Sequence, residues 1–119
     1  ASLEFAVAGL GVEVLVILGH ESCGAVRATA EVVLNGAEVP VGHQRTLVEQ
    51  IAPSILESKT KGGHCAADFE RAHAQAVLAK IMQISPVIAD AVSEGKTAAI
   101  AARYRLADGL VELVSSEGI

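Results

Sequence analysis

The sequence predicts an α/β domain: one apolar strand near the start, helices that cover it, and a closing hairpin that adds an antiparallel edge. Three observations carry this expectation. In "VEVLVILG" at residues 12–19 the apolar residues are consecutive rather than alternating from Val14 to Leu18, the pattern of a strand covered on both faces as in a parallel sheet. Residues 65–84 carry Phe69, Ala72, Ala76, Val77, Ile81 and Ile84 at helical spacing. "TAAIAARYRLADGLVELV", residues 97–114, holds two strand-like runs around an Asp-Gly pair, which supplies the positive backbone angles of a tight hairpin.

The remaining elements fall between these. Leu3, Phe5, Ala6, Val7 and Leu10 read as a short first helix, with Ser2 placed to cap it and Gly9 or Gly11 to end it. From Cys23 or Gly24 to Asn35 the residues Ala25, Val26, Ala30, Val33 and Leu34 share one helical face, and Gly36 stands at the C′ position. Residues 43–57 form a further helical pattern that Pro53 is expected to kink or divide, and "ESKTKGG" at 57–63 is a polar loop. Ser85 as N-cap and Pro86 at N1 open a helix that closes at Gly95. The order helix, strand, four helical segments and two strands places the first strand centrally in one domain over residues 1–119. Three strands make a small sheet, and the chain starts without Met directly on an amphipathic pattern. The expectation is therefore a fold truncated at its N-terminus.

Composition narrows the function. With 51% hydrophobic residues, 19% charged, and two Phe and one Tyr as its aromatics, the core must be built from Ala, Val, Leu and Ile. A net charge of −5, with Lys and Arg scattered, argues against a nucleic-acid surface. No apolar stretch reaches membrane-spanning length and no secretion signal is visible, so a cytoplasmic setting with reduced Cys23 and Cys65 is expected.

"GHESCGAV", residues 19–26, carries the chemistry. It stands where the strand hands over to a helix, at the carboxyl edge of the sheet, where open α/β folds bind ligands. Cys23 falls at a helix N-terminus, which favours the thiolate, and Gly24 lets the backbone approach closely. Imidazole and thiolate three positions apart suit Zn²⁺ better than a hard ion. An isolated His-x-x-Cys also occurs by chance, and two ligands do not complete a zinc site, so a further donor is required.

"SLEFAVAGLGVEVLVILGHESCGAVRA" resembles the second metal-binding segment of the β-class carbonic anhydrases, and "SPVIADAVSEGKTAAIAARYRLADGLVELV" is similar to their closing helix and hairpin. Agreement is weakest across residues 36–70. The resemblance implies a central parallel sheet flanked by helices, Zn²⁺ held by one His and two Cys, and reversible hydration of CO₂ to bicarbonate by a zinc-bound hydroxide. His20 and Cys23 match two of the ligands. The other Cys, and the Asp-x-Arg dyad that follows it in the family, match no residue of this sequence, so no catalytic residue is assigned and the chain alone is expected to be a poor catalyst. The resemblance also implies homodimers or larger homo-oligomers.

Other residues earn no site role. "HCAADFER" holds Cys65, Asp68 and Arg71, but the Cys–Asp spacing of three sets them along a helix rather than a strand, and Cys65 and His64 read as loop residues beside a solvated charge run. His43 reads as a surface or capping residue, His73 as a helix-packing residue and Tyr104 as core. Glu21 and Ser22 read as a spacer. Two competing functions are a catalytically inactive relative serving as an oligomerisation or binding module, and a hydrolase using Cys23 with His20 as base. Neither a nucleophile elbow nor a phosphate-binding loop fits "GHESCG".

Overall fold

The computed structural model describes residues 1–119 and contains one three-stranded sheet. Strand β1 (Val14–His20) pairs parallel to β2 (Ala98–Tyr104), and β2 pairs antiparallel to β3 (Val111–Glu117). The parallel pair and the antiparallel closing edge are as expected, but β2 is the central strand and β1 lies at an edge.

That position explains a second departure. Leu15 and Ile17 of β1 face the helices, together with their partners Ala99 and Ala101. Val14, Val16 and Leu18 face the other way and are 53%, 47% and 55% exposed. The apolar run is covered on one face only, because the helices gather on one side. An unbroken apolar run reports that both faces avoid water, and on the second face no part of these 119 residues supplies the cover.

Before the sheet, α1 (Ser2–Glu4) runs into a π-helical turn (Phe5–Gly9). Ala1, not Ser2, is the N-cap, and no side chain caps this helix. Helix α2 (Gly24–Asn35) ends as expected, with Gly36 at φ 72°, a left-handed conformation that glycine adopts without a Cβ penalty. Helix α3 (His43–Thr60) passes through Pro53 and continues past residue 57. Helix α4 (Ala66–Ile84) is the long central helix, and α5 (Pro86–Ser93) leaves it at 97°. At that corner Ser85 Oγ accepts from the Ile88 N–H at 3.2 Å, the predicted N-cap with Pro86 at N1. The connection between β2 and β3 is longer than a tight hairpin. Asp108 accepts from the Leu110 N–H at 3.0 Å and Gly109 takes φ 71°. No single helix is long and apolar enough to cross a membrane.

Two apolar clusters hold these elements. Under the sheet, Leu15, Ala99 and Ala101 meet Ala74 and Leu78 of α4, Ile88 and Val92 of α5, and Val7 of the π-helical turn. Beside it, Val26 of α2, Ile51 and Ile55 of α3 and Phe69 of α4 form a second cluster, against which Cys23 packs. Small residues on β2 let α4 approach the sheet closely.

Ile55 is fully buried in the second cluster. Ile55→Ala is expected to lower stability by about 2–5 kcal/mol through lost burial and an incompletely closed cavity. Urea denaturation of the two proteins measures it, and a difference below about 1 kcal/mol would place the core elsewhere.

Candidate metal centre

The loop between β1 and α2 is fixed at both ends by the backbone. His20 is the last residue of β1, opposite Tyr104, and Cys23 is the N-cap of α2 in an extended conformation. The two residues between them make a tight reversal, for which Ser22 takes φ 59°, a left-handed conformation costly for a residue with a Cβ.

Three hydrogen bonds clamp this reversal. The Glu21 N–H donates to the Tyr104 carbonyl at 2.8 Å, and the Glu21 carboxylate accepts from the Ala107 N–H at 3.0 Å, tying the loop to β2 and to the β2–β3 connection. The Cys23 N–H donates to Glu70 Oε2 on α4 at 3.2 Å. Glu21, read from sequence as a spacer, is therefore a clamp.

Both candidate ligands line one cavity. His20 Nδ1 lies 3.0 Å from the Glu21 carbonyl, which can only accept, so this nitrogen carries the proton and Nε2 keeps its lone pair. The Cys23 thiol is half-buried and caps no helical N–H, so its sulfur is uncommitted. A cavity of about 290 Å³ is lined by both residues, by Ile17, Leu18 and Gly19 of β1, by Val26 and Ile51, and by Glu70, His73 and Val77 of α4. Consecutive residues of β1, pointing alternately to opposite faces, line it together because it opens along the strand's unpaired edge.

The donor set suits a borderline-soft cation and is short of a full shell. An imidazole nitrogen and a thiol sulfur on one loop are the ligand types of a zinc site. No three His, Cys, Asp or Glu residues gather at a geometry able to hold a metal. Cys65, His64, Asp68 and Arg71 lie apart from this cavity. The His64 N–H donates to Asp68 at 3.1 Å, and Arg71 donates to Asp68 at 3.4 Å and to Glu112 at 2.6 Å. They are the start of α4 and its link to β3. His43 is the exposed first residue of α3, and Tyr104 is half-buried at the end of β2.

Behind the loop runs a chain of ion pairs that the sequence reading missed. Glu70 and Arg103 are buried at 4% exposure each, with Arg103 Nε 2.9 Å from Glu70 Oε1. Arg103 also reaches Glu112 at 3.5 Å, and the Arg71 hydrogen bond holds the Glu112 carboxyl below its usual range. The signal was present: Glu70 stands four and eight residues before Ala74 and Leu78, on the buried stripe of α4, where a carboxylate requires a partner.

His73 lines the same cavity, and Ser54 Oγ lies 2.9 Å from its Nδ1. Burial lowers its pKa, so it is neutral at pH 7. As pH falls through the ordinary imidazole value of 6.5 the unfolded chain takes up this proton before the folded one does. Stability contributed by neutral His73 is thus complete above that value and declines below it. Thermal melts at stepped pH are expected to show this decline, and His73→Gln is expected to flatten it. An unaltered slope in the variant would assign the decline to another group.

An α/β sheet with a His–Cys pair at the carboxyl end of a parallel strand is the class of protein that fold and site define. Residues 1–111 match the carbonic anhydrase family. The chain is 42% identical over 117 residues to a carbonic anhydrase of Mycolicibacterium smegmatis, covering 98% of this chain and 56% of that protein. To carbonic anhydrase 2 of Mycobacterium tuberculosis it is 38% identical over 108 residues, covering 91% and 52%. In fold it is similar to the Coccomyxa β-carbonic anhydrase solved with acetazolamide, at TM-score 0.76 and 20% identity over 96% of this chain and 52% of that one. It is also similar to a tetrameric β-carbonic anhydrase of Sordaria macrospora, at TM-score 0.72 and 18% identity over 96% and 58%. This chain belongs to the carbonic anhydrase family, in its β class. It spans about half the length of the curated relatives it matches.

Proposed function

We propose that the chain carries two of the zinc ligands, His20 and Cys23, of a site for reversible hydration of CO₂ to bicarbonate. The observation that supports this reading is that His20, with Nδ1 taken up by the Glu21 carbonyl, and Cys23, with a free thiol, line one cavity. Zn²⁺ bound there supplies the Lewis acidity that makes water a nucleophile near neutral pH. The Glu21 carbonyl holds the His20 ring so that Nε2 faces the cation, and the N-terminus of α2 favours the Cys23 thiolate. Ile17, Val26, Ile51 and Val77 give the cavity an apolar wall suited to CO₂, which has no charge to be solvated. The remaining donor comes from protein outside residues 1–119, along the free edge of β1. A cytoplasmic setting, with both thiols reduced, fits this chemistry.

Zinc bound per chain after equilibrium dialysis tests the ligand assignment. Two protein donors leave the shell open, so wild type is expected to bind zinc less tightly than a closed site would, and His20→Ala and Cys23→Ser to weaken it further by at least about tenfold. Retention unchanged in both variants, or none in wild type, contradicts the assignment. In the polypeptide as the cell makes it, chelation is expected to abolish CO₂ hydration. Stoichiometric zinc without hydration there would favour the alternative, an inactive oligomerisation or binding module, for which the open sheet face speaks.

That face also supports self-association. Val14, Val16 and Leu18 of β1 lie on the same side as Leu113 and Val111 of β3, and all five are exposed. A face of this kind fits a partner copy. Light scattering is expected to give a dimer or larger assembly, and Val16→Glu to shift it toward monomer. A monomeric wild type at micromolar concentration contradicts this.

A further inference from the structure

We infer that Glu70 is the positioning residue for the Cys23 sulfur, an inference resting on the metal reading above. One carboxylate oxygen accepts from the Cys23 N–H at 3.2 Å and the other from Arg103 Nε at 2.9 Å. Arg103 sits on β2 and reaches Glu112 of β3, so the carboxylate is anchored to the sheet while it holds the first residue before α2. Glu70 itself is on α4, and its side chain lines the cavity that His20 and Cys23 share.

The consequence for the ligands is unequal. The His20 ring is fixed by its own strand and by the Glu21 carbonyl, neither of which involves Glu70. Cys23 follows a strained residue, Ser22, and its side chain makes no capping bond; its carbonyl accepts from the Arg27 N–H at 3.0 Å within the first turn of α2, and the bond from its N–H to Glu70 is the polar contact that ties it to α4 and sets where the Cα–Cβ bond points. Without it the sulfur moves and the nitrogen stays, so the separation between the two donors changes. A metal requires that separation to be right within a few tenths of an ångström. Glu70 has no reason to touch the cation; it acts through the backbone of a ligand.

Co²⁺ serves as the probe, titrated into the full chain and followed by the sulfur-to-cobalt charge-transfer band, with hydrogen exchange of the Cys23 amide measured separately on metal-free protein. Glu70→Leu, which removes the acceptor, is expected to weaken Co²⁺ binding about 10- to 100-fold, the usual effect of losing a group that orients a ligand. It is also expected to diminish the thiolate band and to remove protection from the Cys23 amide. Arg103→Met breaks the same ion pair from the other side and is expected to leave the Cys23 amide protected and Co²⁺ affinity nearly unchanged, despite a comparable loss of thermal stability. If Glu70→Leu does not fold, because Arg103 is left charged in the interior, the neutral pair E70L/R103M replaces it with the same expectation.

Equal losses of affinity in the Glu70 and Arg103 variants would overturn the inference, as would wild-type protection of the Cys23 amide in Glu70→Leu. A wild-type chain that binds no Co²⁺ contradicts the metal reading instead. Amide protection, which needs no metal, then decides the role of Glu70 by itself.

Discussion

A single buried carboxylate ties the site to the fold. Glu70 reaches from α4 to Arg103 on β2 and to the backbone of Cys23, so sheet, central helix and ligand loop are joined at one point. Removing one partner of a buried pair leaves a charge uncompensated, typically at about 3–5 kcal/mol, a large part of a small domain's stability. The pair is matched by further polar contacts: Arg103 to Glu112, Glu112 to Arg71, Arg71 to Asp68. No buried side-chain nitrogen or oxygen lacks a partner, which is the condition under which such a network specifies one arrangement.

Rigid support and an open ligand shell coexist here. The loop is clamped by Tyr104, Ala107 and Glu70, and His20 is oriented by the Glu21 carbonyl. Yet the cavity is lined by an edge strand, β1, whose outward side chains Val14, Val16 and Leu18 are about half exposed. An edge strand with apolar side chains is a surface that proteins normally cover or pair. In the function proposed above, the same edge bears on two properties at once, the completion of the ligand set and the association of the chain with further protein.

Much of this was legible in the sequence where local chemistry decides the outcome. Gly36 ends α2, Ser85 and Pro86 open α5, and the apolar run followed by "GHESCG" puts His20 and Cys23 at the end of a parallel strand. The places of His20 and Cys23 in the fold could be read because a strand end and a helix start three residues apart leave little freedom in the loop between them. What escaped was whatever depends on contacts distant in the chain. The position of β1 at an edge is not encoded in its own residues, since an apolar run reads alike whichever chain covers it. Glu70 is invisible to apolar periodicity because it is the charged residue on the buried stripe of α4. Glu21 was passed over because its partner, Ala107, is 86 residues away. Pro53 lacks one N–H, and the packing of Ile51 and Ile55 on either side of it holds α3 continuous through that gap.

X-ray absorption at the zinc edge of the metal-loaded chain examines the convergence of His20 and Cys23 most directly. The account predicts one sulfur at about 2.3 Å with nitrogen or oxygen neighbours near 2.0–2.1 Å, the sulfur disappearing in Cys23→Ser. A shell of nitrogen and oxygen alone, identical in wild type and Cys23→Ser, would contradict it.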